Sequence, residues 1–213
     1  MNAKEILISG ANELDITLSA QQIELFINYL DILQFWNRKI NLTSIKDRRE
    51  IVIRHFLDSL TIIHFIHGGS RVLDIGSGAG LPGIPLKIVD PSIEITLLDS
   101  TQKKVYFLSE VIRKLRLEGI SAVCGRAESE DNGVPRSYYN FVISRALGTV
   151  DKVIELSVPY IVDDGEIILM RGKSGLEEWS GSKAVSKEFR LIKFSSLVLP
   201  YTRQKRVILV VGR

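Results

Sequence analysis

Two hydrophobic rhythms divide the chain. Through residues 1–66 the apolar positions recur at helical spacing. Ser19-x-x-Gln22 forms a capping-box signature, and Ile23, Phe26, Ile27, Leu30 and Leu33 then fall on one face. The run Phe35-Trp36-Asn37-Arg38-Lys39 closes that helix with aromatic and basic side chains together. Asp47-x-x-Glu50 opens a second helix with Ile51, Phe56, Leu57, Leu60 and Ile63 as its apolar positions, and His67-Gly68-Gly69 stops it.

From Arg71 onward, short apolar runs alternate with helical periods. The runs 71–75, 94–99, 120–124, 139–144, 165–170, 190–199 and 205–212 predict seven strands. Helices are predicted over 101–115, with Val105, Leu108, Val111, Ile112 and Leu115 inward, and over 149–161, with Val150, Val153, Ile154 and Val158 inward. Such alternation implies right-handed crossovers and a mainly parallel sheet covered on both faces. Only "YTRQ" separates the last two runs, so they should form an antiparallel hairpin at the end of the sheet. The expected organisation is a helical extension, 1–66, packed as one compact unit with an α/β domain, 67–213.

Composition narrows the setting. A chain of 213 residues with 45% apolar and 25% charged residues can bury a full core. No stretch of about 18 residues is free of charge, so no membrane span is expected. The N-terminus lacks the apolar block of a signal peptide. Cys124 is the single cysteine, which excludes an internal disulfide and suits a reducing, cytoplasmic compartment. The net charge of +3 permits a nucleic-acid partner without demanding one. Arg38-Lys39, Arg48-Arg49, Lys103-Lys104, Arg113-Lys114, Arg171-x-Lys173 and Arg203-x-Lys205-Arg206 each read first as solvated surface.

The densest chemistry lies in "VLDIGSGAGLPGIPLKIVDPSIEITLLDS", residues 72–100. Gly76, Gly78 and Gly80 follow a predicted strand, where backbone can turn sharply and approach a ligand. Leu81 stands where a dinucleotide fingerprint would place its third glycine. Pro82 and Pro85 remove N–H donors from the helical turn that would grip a phosphate. Asp99 ends the next strand, where an acid can accept both hydroxyls of a ribose. The pattern suits a nucleoside without a phosphate, and S-adenosylmethionine is such a molecule.

"VLDIGSGAGLPGIPL", "LLDSTQKKVYFL", "GRAE" and "VISRA", with the upstream "FWNRKINLT" and "RHFLDSL", resemble the bacterial small-subunit rRNA guanine-N7 methyltransferases, formerly the glucose-inhibited division protein B family. The resemblance runs from Phe26 to Arg213. It implies a class I, Rossmann-like methyltransferase fold with an N-terminal helical extension. It also implies methyl transfer from S-adenosylmethionine to guanine N7 in 16S rRNA, in the decoding-region loop around position 527 of the reference rRNA. By the same resemblance Gly76 and Leu81 line the cofactor, Asp99 binds its ribose, and Ala127 and Glu128 border its adenine. Arg145 then lies beside cofactor and incoming base, as the residue expected to be catalytic. The expected partner is 16S rRNA or the small ribosomal subunit, and the chain is expected to act as a monomer without metal. Two positions depart from the family pattern: Arg171-Gly172 where Lys-Gly is frequent, and Asn140 where an aspartate is common.

The residues also bear on the reaction directly. Ser144-Arg145-Ala146 at the end of the fourth predicted strand is not the Asn-Pro-Pro-aromatic motif of exocyclic-amine methylation. Methylation of a pyrimidine C5 needs a thiolate, and Cys124 reads as a small buried apolar residue. Guanine N7 has a lone pair and no proton to lose. Arg145 could read guanine O6 or hold a flanking phosphate, or form a structural ion pair with an acid such as Glu128. His64 and His67 lack a third ligand at metal-site spacing and read as two exposed imidazoles at a helix end. His55 is expected to pack the extension near the cofactor mouth. Phe35 and Trp36 could stack a splayed base, with core packing favoured for at least one of them. A small-molecule or protein acceptor, an RNA-binding assembly factor and, last, a dehydrogenase are the competing readings.

Overall fold

A computed structural model describes residues 1–183 and 188–213. The helical extension comprises α1 (Ala3–Asn12), α2 (Ala20–Asn37), α3 (Arg48–Ile51), a π-helical segment Val52–Leu57, α4 (Asp58–Leu60) and a 3-10 turn Ile63–Phe65. The α/β part then runs β1 (Arg71–Ile75), α5 (Gly83–Val89), β2 (Glu94–Asp99), α6 (Gln102–Leu115), β3 (Ile120–Cys124) and β4 (Tyr139–Arg145). It continues through α7 (Val150–Ser157), β5 (Ile161–Arg171), α8 (Gly175–Ser180), β6 (Arg190–Val198) and β7 (Lys205–Gly212).

The helix starts follow their caps. Ser19 Oγ accepts from Gln22 N–H at 3.2 Å and Gln22 Oε1 accepts from Ser19 N–H at 2.8 Å, the reciprocal pair expected from Ser19-x-x-Gln22. Asn2 and Glu5 cap α1 the same way. The second predicted helix, however, is not one regular helix. It begins α-helical under Asp47, whose carboxylate accepts from Arg49 and Glu50 N–H, and widens into the π segment. Over 149–161 the helix stops at Ser157 with Val158 as its cap, because Pro159 has no N–H to continue the ladder. Ile161 instead starts β5, four residues before the predicted run, and pairs with Tyr139.

The sheet order is β3-β2-β1-β4-β5-β7-β6. Pairs from β3 through β5 are parallel, and β7 is antiparallel to both β5 and β6. The hairpin is the expected one, with its second strand inserted beside β5. Strand order reverses between β1 and β4, so their carboxyl ends form the crevice where such sheets bind ligands. Asn140 has a local task at the opposite, amino end of the sheet: its Oδ1 accepts from Arg71 N–H at 3.0 Å, tying β4 to the start of β1.

One hydrophobic cluster is continuous across residue 66. Phe26, Tyr29, Leu30 and Phe56 of the extension join Val72, Leu97, Phe107 and Ile143 on one sheet face. The rings of Tyr29 and Phe56 stack at 5.0 Å. Phe26 and Phe56 are fully buried, and each such ring contributes roughly 1.5–3 kcal/mol by burial alone. The other face packs Leu73, Val142, Ile167 and Leu209 against Val153, Ile154 and Trp179 of α7 and α8. Among the described residues no helix is long and apolar enough to cross a membrane.

Candidate functional site

The glycine loop is held from both sides. From the extension, the Tyr29 hydroxyl donates to the Ala79 carbonyl. From β2, both Gly76 and Ser77 N–H donate to the Leu98 carbonyl, at 2.8 and 3.1 Å. Gly78 N–H donates to Asp99 Oδ2 at 2.9 Å. Gly80 and Leu81 N–H turn back to the Ser77 carbonyl, at 2.7 and 3.0 Å. At the start of α5, Gly83 N–H donates to Asp74 Oδ2 at 2.9 Å, Ile84 N–H donates to the Gly80 carbonyl at 2.8 Å, and Pro85 has no donor. The first turn of this helix therefore offers a phosphate no free N–H.

Four of the residues named from sequence meet at one cavity. Gly76, Asp99, Ala127 and Glu128 line a space of about 360 Å³ together with Lys104 and Leu147. That volume falls in the range of small-ligand sites, roughly 300–1,000 Å³. Gly76 has φ +73, and a Cβ there would press on Leu147, so this position needs glycine for both turn and space. Asp99 is buried, with Oδ1 accepting Thr101 N–H at 2.9 Å and Lys104 Nζ 3.7 Å from Oδ2. A carboxylate has about four acceptor positions, so backbone donors fix its orientation and leave room for further hydroxyls. The turn after β3 is built by Tyr160, whose hydroxyl donates to the Ala127 carbonyl at 2.6 Å. Asn132 Nδ2 donates in turn to that hydroxyl, also at 2.6 Å.

Gly78, Gly80 and Leu81 are not brought to this cavity. Gly78 shapes the loop and holds Asp99, and the space beside Gly80 is filled by Ile84 and Leu108. Leu81 is buried in the core shared with the extension.

Arg145 lines a second cavity of about 390 Å³, also at the carboxyl ends of β4 and β5. Its Nη1 lies 3.1 Å from Asp58 Oδ2 and donates to the Arg54 carbonyl at 3.2 Å. Its Nη2 lies 3.1 Å from His55 Nδ1. Asp58 takes a second cation, Arg206 Nε, at 2.6 Å on Oδ1. The acid paired with Arg145 is thus Asp58 and not Glu128, which lies 3.8 Å from Lys152. His55 Nδ1 lies 3.1 Å from both Arg145 Nη2, which only donates, and the Arg54 carbonyl, which only accepts, while Nε2 lies 2.7 Å from Thr43 Oγ1, so both ring nitrogens are engaged in either tautomer. Burial, and then the Arg145 charge, pull the His55 pKa down to about 4. Beneath the loop, burial pushes Asp74 up to about 7 against the Gly83 N–H and Arg145, and Oδ1 of Asp74 has no partner.

Some further residues sit otherwise than the sequence suggested, while His64 and His67 and the pair Phe35 and Trp36 sit as it suggested. Cys124 is exposed, its Sγ 3.9 Å from the Ser100 carbonyl, because it is the last residue of edge strand β3. Of the basic clusters, Lys104, Arg171 and Arg206 are not solvated surface: each is drawn inward to a carboxylate or carbonyl. Trp36 packs on Phe107 while Phe35 stays half exposed under Lys39 Nζ, 4.5 Å from its ring. His64 and His67 are exposed, and among the described residues no His, Cys, Asp and Glu cluster is arranged for a metal. Asp58, Arg206 and Tyr29 were not singled out as site residues, although "RHFLDSL" contained the first.

A Rossmann-like sheet with this order, an acid-ended β2 and a phosphate-free glycine loop defines a class I methyltransferase fold. Solved structures of that kind match it: a SAM-dependent methyltransferase from Aquifex aeolicus (TM-score 0.59, 15% identity, 77% of this chain and 93% of that one). Another is M. jannaschii TYW2 in complex with AdoMet (TM-score 0.57, 15% identity, 73% and 74%). The rRNA small subunit methyltransferase G family model matches residues 22–206, and the chain belongs to that family. The ribosomal RNA small subunit methyltransferase G of Geobacter sp. (strain M21) is 37% identical over 214 residues, covering 100% of this chain and 98% of its own. That of Caldanaerobacter subterraneus subsp. tengcongensis is 43% identical over 187 residues, covering 86% and 78%.

Proposed function

We propose that this chain methylates N7 of a guanine in 16S rRNA, within the decoding-region loop, with S-adenosylmethionine as donor. The observation that carries the reading is the glycine loop leading into a helical turn with no free N–H, set between an acid-ended strand and a basic cavity. A nucleoside fits the first and a polyanion the second. Family membership supplies the acceptor: the relatives are named for small-subunit rRNA.

When bound, S-adenosylmethionine supplies a methyl group activated by a sulfonium centre. The chain's own residues bind and orient. Gly76 lets backbone approach the ligand, Asp99 takes ribose hydroxyls on its remaining lone pairs, and Ala127 and Glu128 border the base of the nucleoside. Arg145, fixed by Asp58, faces the neighbouring cavity where the acceptor would enter. N7 carries no proton, so no general base is required. The one imidazole at hand, His55, has both ring nitrogens engaged by Arg145 and Thr43. Catalysis then rests on alignment, which in favourable systems is worth on the order of 7–11 kcal/mol. In this reading the chain works as a monomer on ribosomal RNA in the cytoplasm.

Nucleoside mass mapping of 16S rRNA from cells with and without the gene tests this. A 7-methylguanosine in the decoding-region loop that disappears with the gene supports it; an unchanged map contradicts it. In purified protein, S-adenosylhomocysteine should raise the melting temperature by mass action and NAD should not.

A further inference from the structure

Arg171, at the end of β5, is 9% exposed and lines the same cavity as Arg145. Its Nη1 donates to the Gly148 carbonyl at 2.7 Å, which fixes the plane of the guanidinium. Its Nε and Nη2 have no hydrogen-bond partner. These two are adjacent nitrogens, the side-on edge that meets two oxygens of one anion in parallel. The nearest acid, Glu178, stops at 3.8 Å from Nε, and its other oxygen is taken by the Ser174 hydroxyl at 2.7 Å.

The surrounding charge favours an anion as well. Arg145 and Arg206 share the single carboxylate of Asp58, so that cluster keeps a positive excess. A guanidinium whose Nε and Nη2 are shielded from solvent and lack a hydrogen-bond partner, in a cavity with surplus positive charge, can receive a tetrahedral oxyanion once the Glu178 side chain 3.8 Å away swings aside. A bridging water could fill the hydrogen bonds but would not balance the charge.

We propose that the Nε and Nη2 edge of Arg171 clamps one phosphodiester of the RNA next to the target nucleotide. Arg171 is then a positioning residue that sets the register of the strand while Arg145 faces the base. This rests on the RNA reading above. It also gives a physical meaning to arginine at this position, since a lysine would offer a point charge and no two-point contact.

A phosphate-by-phosphate scan tests it. Single methylphosphonates, which remove one charge, are placed along a target-loop RNA, and affinity is measured for wild type and Arg171→Gln. In wild type one position should cost about tenfold. Arg171→Gln should lose about the same on native RNA and nothing further at that position, while keeping its affinity for S-adenosylhomocysteine. Its salt slope should fall by about 1. Glu178→Gln, which leaves Arg171 in place, should bind RNA more tightly. Inorganic phosphate at matched ionic strength should raise the melting temperature of wild type more than that of Arg171→Gln. If the two losses multiply at every phosphate, or Glu178→Gln leaves affinity unchanged, the clamp is wrong. Wild-type protein that binds no RNA would overturn the functional reading instead, and loss of phosphate protection in Arg171→Gln would still uphold the anion site.

Discussion

Arg145 Nη1 sits 3.1 Å from Asp58 Oδ2, joining the end of β4 to the helical extension. Asp58 is 4% exposed and also holds Arg206. The contact locks the extension over the carboxyl ends of the strands and aims the rest of the Arg145 fork at His55. Arg145→Ala should therefore lower methyl transfer by at least tenfold, and Arg145→Lys should rescue poorly, because an ammonium cannot reach Asp58, His55 and the Arg54 carbonyl together. The stability cost should be about 3 kcal/mol at most, since Arg206 still neutralises Asp58. Melting curves beside initial rates separate the two effects; equal rates in a folded Arg145→Ala would remove it from the site.

Asp99 ties the glycine loop to the end of β2, and the proposed function gives it the ribose as well. Asp99→Ala loses the bonds to Gly78 and Thr101 N–H as well as any ribose contact, and each charge-assisted bond is worth roughly 1.5–3 kcal/mol. Calorimetry with S-adenosylhomocysteine should show affinity reduced by at least tenfold. Lys104→Glu should weaken it too, because Lys104 lines this cavity, whereas Lys103→Glu should not. Unchanged affinity in Asp99→Ala would make the acid purely structural.

Two buried groups make stability depend on pH in opposite senses. Asp74 is raised to about 7 in the folded protein, so its contribution is complete below the unfolded value near 4 and is lost as pH rises through 7. His55 is lowered to about 4, so its contribution is present above 6.5 and is lost as pH falls through 4. Asp74→Asn should thus gain stability relative to wild type between pH 4 and 7, on the order of 4 kcal/mol at neutral pH. His55→Gln should flatten the acid limb. Melting temperatures across that window for the two variants check both signs, and parallel curves for wild type and Asp74→Asn would contradict the first.

Cys124 is exposed at an edge of the sheet and does not line the cavity of Gly76 and Asp99. Cys124→Ser should retain most of the activity, measured as methyl incorporated per enzyme. A folded but inactive serine variant would point to a covalent intermediate and away from N7.

Much of the cavity beside the glycine loop was legible because its signals are local. A strand, three glycines, two prolines and Asp99 fall within one crossover, and the prolines with Leu81 argue against a phosphate grip. Gly78 and Gly80 look like ligand contacts in sequence for the same reason they are needed in the turn, so the sequence cannot separate the two roles. The acceptor side was far less legible. Asp58 meets Arg145 across 87 residues and Arg206 across 148, and no periodicity records such a meeting. The π-helical widening at Val52–Leu57 also carries no pattern of its own. Arg171 appeared as one member of a basic cluster and as a departure from the family's lysine, and neither signal records that it is buried with two nitrogens unpartnered.

The most direct test of the central claim replaces the target guanine in small-subunit RNA with 7-deazaguanine, which has carbon where N7 was. With S-adenosylmethionine and the purified protein, the natural RNA should yield 7-methylguanosine by nucleoside mass spectrometry. The deaza RNA should bind with nearly the same affinity and take up no methyl group. Transfer to the deaza RNA, or methyl found on another atom of the natural one, would contradict the account.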